Sequence, residues 1–196
     1  ITHYDIDHSG GYESISSKCK IKSVYMKKVP KHKRYGVIKN TAKKAGTTVK
    51  LVGENCKKMS LGNMEFDLYN LIDTYDKYGI KRQNINSIVA VGKVNNRKIA
   101  FMGDLTNVGG GMSKSDKQLA TKMCNEIARK IGQVDIYKIA HHGADGNKSE
   151  EINCYKPTYA ILTNYKIKEE KIAKRIKKYT GSNFYIDGTG TVIMTI

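Results

Sequence analysis

Residues 1–12 read ITHYDIDHSGGY, and this stretch decides how the rest of the chain is interpreted. Two histidines and two aspartates crowd into six residues, just before a pair of glycines: His3, Asp5, Asp7 and His8. The whole chain has only 5 histidines, and a second pair, His141 and His142, stands together in KIAHHGADGN. Four of the five histidines therefore lie in two short clusters, which indicates a shared chemical role rather than packing.

The composition allows one domain and favours an anionic partner. At 196 residues the chain has the length of one domain, and we treat residues 1–196 as a single unit. It carries 35 Lys+Arg against 18 Asp+Glu, a formal charge of +17, which attracts polyanions. A generally lysine-rich composition is the alternative explanation of this charge. We expect DNA or another polyanion as the partner, although charge alone does not name it.

Location and redox compartment stay open at this level. No stretch reaches the roughly 18–20 apolar residues of a membrane span, and no signal peptide is visible. The 4 cysteines are widely spaced and form no C-x-x-C pair. This spacing argues against a cysteine zinc site and indicates free or buried thiols, although a disulfide stays open.

The periodicity of the chain predicts an α/β fold with mixed sheets. Residues 87–94 and 98–102 flank the sequence VNNR and predict a β-hairpin. Apolar residues recur every fourth position in residues 115–132, which predicts an amphipathic helix with Ser115 or Asp116 as its N-cap. Only two residues precede the first cluster, and a strand of two residues is not credible. We therefore expect several N-terminal strands to be missing from this chain.

Three polar segments follow strands of the predicted fold: residues 3–8, Asp104 in FMGD, and the pair at 141–142. Imidazole and carboxylate on such loops suit a catalytic divalent metal, either Zn²⁺ or Mn²⁺. In an extended conformation, alternate residues of the first segment point to one side. Taken alone, Asp104 also fits a turn residue and the histidine doublet a surface pair. His32 in PKHKRYG has no acidic neighbour, and we interpret it as a solvated loop residue.

The segment HYDIDHSGG resembles the H-x-[HD]-x-D-H motif of the metallo-β-lactamase fold. The form with aspartate in the middle is similar to the branch typified by the soluble domain of the competence DNA-uptake protein ComEC. Further similarities come in the same order: NINSIV at 84–89, FMGD at 101–104, KIAHHG at 138–143 and the closing YIDGTGTVIMTI. The resemblance implies an αββα sandwich, with metal ions held at one edge between two sheets and the first strands lying before Ile1.

The resemblance also implies a ligand set for one or two divalent ions. His3 and Asp5 would belong to the first metal position, and Asp7 and His8 to the second. Asp104 would bridge them, and one of the adjacent histidines would complete the second position. We favour His141 there because it follows the strand directly, with His142 as the alternative. No convincing histidine supplies the remaining ligand of the first position, so the site holds one metal or a weakly bound second.

We expect a metal-dependent hydrolase that acts on a phosphodiester, with DNA as substrate and metal-bound hydroxide as nucleophile. The expected catalytic residues are Asp7, Asp104 and His142, with Asp104 orienting the water and the free histidine protonating the leaving group. The alternatives are hydrolysis of a lactone, thioester or β-lactam, and a nucleic-acid-binding module without turnover. A ComEC-like domain would face outward from the cell membrane, whereas a stand-alone version would be cytoplasmic or secreted.

Overall fold

A computed structural model describes residues 1–53, 56–70, 84–85, 87–107, 112–143, 147, 149–163, 170–181 and 183–186. The strands in these ranges are β1 (Ser23–Met26), β2 (Thr48–Leu51), β3 (Lys57–Leu61), β4 (Met64–Tyr69), β5 (Val89–Val94), β6 (Arg97–Phe101), β7 (Ile136–Lys138), β8 (Tyr159–Leu162) and β9 (Phe184–Ile186). The helices are α1 (Ile6–Ser9), α2 (Tyr12–Lys18), α3 (Lys33–Lys44), α4 (Lys114–Ile131), α5 (Ser149–Tyr155) and α6 (Glu170–Thr180).

The strands form two sheets. β1 and β2 are a parallel pair, and β3 to β9 form one seven-stranded sheet in sequence order. The first four strands of the larger sheet are antiparallel neighbours, whereas β6 to β9 are parallel. The mixed α/β class predicted from the sequence is therefore confirmed.

The smaller sheet is covered on its outer face by helices. Alternate residues of β1, Val24 and Met26, are buried against Tyr35 and Ile38 of α3. The other face of β1 carries Tyr25, which packs in a separate cluster between the two sheets. The period-2 alternation of a strand thus divides the apolar residues of β1 between two layers.

The larger sheet shows the same division. Ala90 of β5 packs toward the smaller sheet, in the cluster that contains Leu68 and Ile88. Its neighbours Val89 and Val91 are buried in the main core against the outer helices α4, α5 and α6. The layer order is helix, sheet, sheet, helix, which is the αββα sandwich implied by the sequence resemblance.

Local predictions can be checked against the same elements. The β5–β6 hairpin is confirmed, with Asn95 and Asn96 at φ 46° and 61° in its turn. The N-cap of α4 is Ser113, so the prediction of Ser115 or Asp116 is wrong. The closing YIDGTGTVIMTI is described only as far as β9, and its residues 187–196 lie outside the described residues. Within the described ranges, no helix has the length and apolar character needed to cross a membrane.

Candidate metal centre

The first polar segment changes conformation at Asp5. Asp5 is extended, with φ −64° and ψ 150°, whereas α1 begins at Ile6. The expectation that His3, Asp5 and Asp7 share one side of an extended segment is therefore wrong for Asp7, which lies in a helical turn beside His8. Asp7 and His8 occupy adjacent positions of this helical turn, and both side chains extend toward Asp104 and His142.

Arg34 of α3 fixes this turn from behind. Its guanidinium donates two hydrogen bonds to Glu13, at 2.6 and 2.7 Å, and one of 2.6 Å to the carbonyl of Ser9. The hydroxyl of Ser9 in turn donates to the carbonyl of Asp5 at 3.0 Å. Arg34 thus holds the backbone of the His3–His8 segment against α3.

Asp104 follows β6 and is buried, with 3% of its surface exposed. The preceding Gly103 has φ +54°, and a Cβ added there would lie 3.0 Å from the side chains of Thr2 and Ser87. Glycine is therefore needed at this position for both its conformation and the close approach. The backbone N–H of Asp104 donates to the hydroxyl of Ser87 at 3.0 Å, which directs the carboxylate toward the histidines.

His141 and His142 lie in a tight turn after β7, and both adopt the left-handed conformation, with φ of 49° and 48°. Two consecutive non-glycine residues in this region are uncommon, and each costs roughly 1–3 kcal/mol. The backbone N–H of His141 donates to the carbonyl of Gly103 at 3.0 Å, and the buried amide of Asn147 donates to the carbonyl of Ala140 at 3.2 Å. These bonds hold the turn against the strain.

Four side chains converge beside Asp104. Within the described part of the chain, one group of potential ligand atoms lies within 4.8 Å of one another, from Asp7, His8, Asp104 and His142. Nε2 of His8 lies 3.0 Å from Nε2 of His142 and 3.0 Å from Oδ1 of Asp104. Oδ2 of Asp7 lies 3.5 and 3.3 Å from the same two histidine nitrogens. The sequence favours His141 for this place with His142 as the alternative, whereas the left-handed turn puts His142 in the group.

These separations, from 3.0 to 3.5 Å, lie close to the edge lengths of a metal coordination tetrahedron. Ligand distances of about 2.0–2.2 Å around a tetrahedral ion place the ligand atoms about 3.3–3.6 Å from one another. A further separation, from Nε2 of His142 to Oδ1 of Asp104, is 3.6 Å. The group therefore has the donor types and the spacing that a zinc-sized ion needs.

A second, wider arrangement lies on the other carboxylate oxygen of Asp104. Nε2 of His3 lies 3.7 Å from Oδ2 of Asp104 and 3.4 Å from Oδ2 of Asp5. Nε2 of His141 lies 4.0 Å from the same Asp104 oxygen and 3.1 Å from the amide nitrogen of Asn84. The two oxygens of Asp104 thus face different pairs of histidines.

Hydroxyl and carbonyl groups orient the rings. Oγ1 of Thr2 lies 3.1 Å from Nδ1 of His3 and 3.3 Å from Nδ1 of His8. Nδ1 of His142 lies 3.1 Å from both the carbonyl and the hydroxyl of Thr163. A carbonyl oxygen only accepts, so Nδ1 of His142 carries its proton and Nε2 presents a lone pair to the group. Such partners fix the tautomer of metal-binding histidines.

The buried atoms of the centre fit a cation. Nε2 of His3 and Oδ1 of Asp104 are buried and make no hydrogen bond within the described residues. If Nδ1 of His3 donates to Thr2 or to Ser87, 3.3 Å away, its Nε2 lone pair faces carboxylate oxygens. Opposed lone pairs repel one another, and an unsatisfied buried polar atom costs about 1–3 kcal/mol. A divalent ion would satisfy these atoms together.

The electrostatics of the centre favour ionised carboxylates. Burial raises the pKa of Asp104, but the imidazoles of His8, His3 and His142 outweigh it and leave that pKa below its ordinary value. The imidazole of His3, 3.4 Å away, likewise leaves the pKa of Asp5 below its ordinary value. Both groups are therefore anionic at neutral pH, which is the form that binds metal.

One cation stands close to this negative charge. Lys138 is half-buried at the end of β7 and interacts electrostatically with the carboxylates of Asp104 and Asp7. Burial lowers the pKa of its ammonium group, and the two carboxylates partly oppose that change. A half-buried ammonium beside the candidate metal centre is a potential contact for an anionic group.

Four residues of the centre were missed at the sequence level: Thr2, Asn84, Ser87 and Thr163. Asn84 and Ser87 lie in the NINSIV segment at 84–89. Thr163 directly follows β8, so a search for polar residues at the ends of predicted strands could have found it. His32, expected to be solvated, accepts the backbone N–H of Arg34 as the N-cap of α3 and stacks on Tyr4, with ring centroids 5.3 Å apart. His32 therefore has a structural role.

The sequence matches no protein-family profile and no curated protein. Among solved structures, a provisionally assigned metal-dependent hydrolase from Parabacteroides distasonis has a TM-score of 0.43 and 12% identity, covering 87% of this chain and 77% of its own. A provisionally assigned Zn-dependent hydrolase of the metallo-β-lactamase superfamily from Thermotoga maritima has a TM-score of 0.37 and 13% identity, with coverages of 80% and 67%. These likenesses are too slight to carry an argument.

The class of the molecule is therefore defined by its own geometry. It is an α/β sandwich of two sheets between helical layers. Histidine and carboxylate side chains converge at one edge, in an arrangement that could hold a metal ion.

Proposed function

We propose that the chain is a metal-dependent hydrolase whose principal ion is held by Asp7, His8, Asp104 and His142. The observation that carries this proposal is the convergence of these four side chains within 4.8 Å. Two imidazole nitrogens and two carboxylate oxygens form a donor set suited to Zn²⁺ and also to Mn²⁺. His142 is then a ligand instead of the proton donor expected from the sequence.

A divalent ion in this place supplies Lewis acidity and lowers the pKa of water toward about 7. The residues of the chain then have separate tasks. Oδ1 of Asp104 faces the ligand group, while Oδ2 is turned away from it toward His3 and His141. We assign Oδ2 the task of accepting a hydrogen bond from the attacking water and so orienting it. The carboxylate of Asp7, 56% exposed, marks the side from which substrate approaches.

We further propose that the substrate is a phosphodiester, with DNA as the polymer. Two features support this choice. The formal charge of +17 attracts polyanions and concentrates them near the protein. The half-buried ammonium of Lys138 lies in the electrostatic range of Asp7 and Asp104 and is suited to a phosphate oxygen.

The test uses protein stripped of metal and reloaded with Zn²⁺ or Mn²⁺. Substrates are a chromogenic phosphodiester, supercoiled plasmid and single-stranded DNA. We expect metal-dependent cleavage, lowered about 100-fold or more in Asp104→Asn and His142→Ala, because a bound metal contributes several kcal/mol to transition-state stabilisation. The matched control is His32→Asn, which keeps an N-cap acceptor outside the centre and should cleave at the wild-type rate.

Other outcomes would contradict parts of the proposal. Cleavage that survives Asp104→Asn and His142→Ala would come from another site or from a contaminant. Turnover of a chromogenic β-lactam, a lactone or a thioester without DNA cleavage would assign a small substrate instead. Salt-sensitive retention of DNA without any turnover would assign a binding module.

A further inference from the structure

The positive charge of the chain is concentrated in one half of the sandwich. Residues 14–53 contain 12 Lys or Arg and no Asp or Glu, although the whole chain has 18 acidic residues. This stretch forms most of α2 together with β1, α3 and β2, which are the smaller sheet and its outer helices. A generally lysine-rich composition explains many lysines, but it does not explain the absence of every acidic residue from one structural layer.

The lysines around α3 are exposed and have no acidic partner. Among the residues that the structure describes, no carboxylate pairs with the six that lie on this helix or just before it, whereas Lys58 and Lys93 in the other half both reach Asp67 at 3.1 Å. We call these six residues the α3 lysine face: Lys28, Lys31, Lys33, Lys39, Lys43 and Lys44.

The stability of α3 does not account for these charges. Lys33 lies in the first turn, where the helix dipole disfavours a cation, and that turn has no acidic residue. Lys43 suits the last turn, but it lies four residues from Lys39, a spacing at which like charges destabilise a helix. Exposed charges that oppose the helix carrying them favour a partner outside the chain.

The α3 lysine face begins beside the candidate metal centre. Tyr4, which lies between His3 and Asp5, donates its hydroxyl to the carbonyl of Lys27 at 2.5 Å and stacks on His32, the N-cap of α3. From this point α3 runs for 12 residues, or about 18 Å, and leads back to β2, whose first residue pairs with the first residue of β1. The lysines therefore extend from the edge that carries the centre toward the opposite end of the smaller sheet.

We propose that the α3 lysine face binds the sugar–phosphate backbone of DNA whose scissile phosphodiester lies at the metal centre. This inference rests on the proposed function and locates the contact that holds the rest of the strand. A length of about 18 Å corresponds to about five phosphates of one strand at about 3.4 Å each, so six ammonium groups match the charge of the backbone along the helix. Lysine contacts a phosphate as a point charge and reads no base, so binding depends on salt but little on sequence.

An anionic membrane surface is the other large partner that attracts clustered lysines. A helix that lies on a membrane also inserts large apolar side chains into it. Residues 27–44, all of which the structure describes, contain none of the exposed large apolar side chains. This composition favours DNA as the partner of the face.

The test measures the fluorescence anisotropy of a labelled DNA duplex of about 20 base pairs, titrated with the metal-free full chain at several salt concentrations. Two triple variants remove the face in halves: Lys28→Gln, Lys31→Gln and Lys33→Gln together, and Lys39→Gln, Lys43→Gln and Lys44→Gln together. The matched control removes three exposed lysines of α4, in the opposite helical layer: Lys114→Gln, Lys117→Gln and Lys122→Gln.

Each half of the face should contribute a measurable share of the affinity. We expect each face variant to bind the duplex at least about 10-fold more weakly at about 0.1 M salt, because three phosphate contacts are lost. The slope of log affinity against log salt should fall by about 2–3, since each contact contributes about 0.9. The α4 control should change the affinity and the slope far less. Circular dichroism and thermal unfolding show whether each variant folds.

Two results would overturn the inference. Equal losses in the face variants and in the α4 control would show that net charge alone sets the affinity. Wild-type affinity in both face variants would exclude the face as the DNA contact, and loss of their sedimentation with phosphatidylserine-containing vesicles would then assign it to a membrane surface.

Binding and turnover are read separately, because the metal-free chain is used for the titration. Face variants reloaded with metal should hydrolyse a small chromogenic phosphodiester at the wild-type rate, since that substrate needs no contact along the strand, while their KM for DNA rises. DNA binding that divides as predicted, in a protein that hydrolyses nothing, would leave this inference standing while the proposed function fails.

Discussion

Thr2 offers the sharpest test of how the histidine rings are held. Its single hydroxyl oxygen lies 3.1 Å from Nδ1 of His3 and 3.3 Å from Nδ1 of His8. A hydroxyl has two lone pairs and can accept from both rings, which leaves both Nε2 lone pairs facing the carboxylates. Thr2→Val keeps the shape of the side chain, which packs close to Gly103, and removes only the acceptor.

The magnitude follows from the two contacts. A net hydrogen bond contributes about 0.5–1.5 kcal/mol, so two contribute about 1–3 kcal/mol to ring orientation. His3 retains a second neighbour in the hydroxyl of Ser87, at 3.3 Å, so the main loss falls on His8. Since outer partners of metal-binding histidines are worth about 10–100-fold in affinity, we expect Thr2→Val to weaken Zn²⁺ binding at the proposed centre by that factor.

The assay is a competition titration of the metal-free chain with Zn²⁺ against a chromophoric chelator, with Thr2→Ser as the matched variant. Serine keeps the hydroxyl and should bind Zn²⁺ within a few-fold of the wild-type chain. Thermal unfolding without metal should change little in either variant. Wild-type affinity in Thr2→Val, or equal losses in the valine and serine variants, would refute the assigned role of the hydroxyl.

Three further predictions use equilibrium unfolding in urea. Gly10→Ala should destabilise the fold by about 1–3 kcal/mol, because the new Cβ would lie 2.4 Å from the carbonyl oxygen of Ile6. The control is Gly36→Ala in α3, where no atom lies within 4 Å of the new Cβ. This variant should be neutral or stabilise the fold by up to about 1 kcal/mol. Glu13→Gln should cost about 1 kcal/mol at pH 7, since solvent screens this partly exposed pair. The guanidinium of Arg34 lowers the pKa of Glu13 below its ordinary value, so the contribution of the pair is complete above the unfolded-state pKa and is lost as pH falls through the folded-state pKa. A destabilisation by Glu13→Gln that persists at pH 2 would contradict this reasoning. Zn²⁺ at 100 times its dissociation constant should raise the unfolding free energy by about 2.7 kcal/mol, and an unchanged midpoint would exclude selective binding to the folded state.

The parts of the fold that follow local rules could be predicted from the sequence. The pair Asn95–Asn96 tolerates positive φ and correctly predicted the β5–β6 hairpin. The N-cap of α4 was misplaced because two serines precede Asp116. Ser113 and Asp116 form the reciprocal capping box, which selects the first serine over Ser115.

The arrangement of the centre depended on contacts that local patterns do not contain. A helical turn as short as Ile6–Ser9 shows no periodicity, so the change of conformation after Asp5 was missed. The left-handed turn at His141 and His142 could not be predicted from the sequence either, since non-glycine residues rarely adopt this conformation. The clustering of scarce histidines did indicate the residues, but not which of the two neighbours joins the group on Oδ1 of Asp104.

The central claim is that Asp7, His8, Asp104 and His142 hold one ion, and an anomalous difference map at the zinc absorption edge tests it most directly. Crystals of the metal-free chain would be soaked in one equivalent of Zn²⁺. The account predicts one strong peak, about 2.0–2.2 Å from Nε2 of His8, Nε2 of His142 and the nearest carboxylate oxygens of the two aspartates. A map without a peak there, or with its strongest peak on other side chains, would contradict the account.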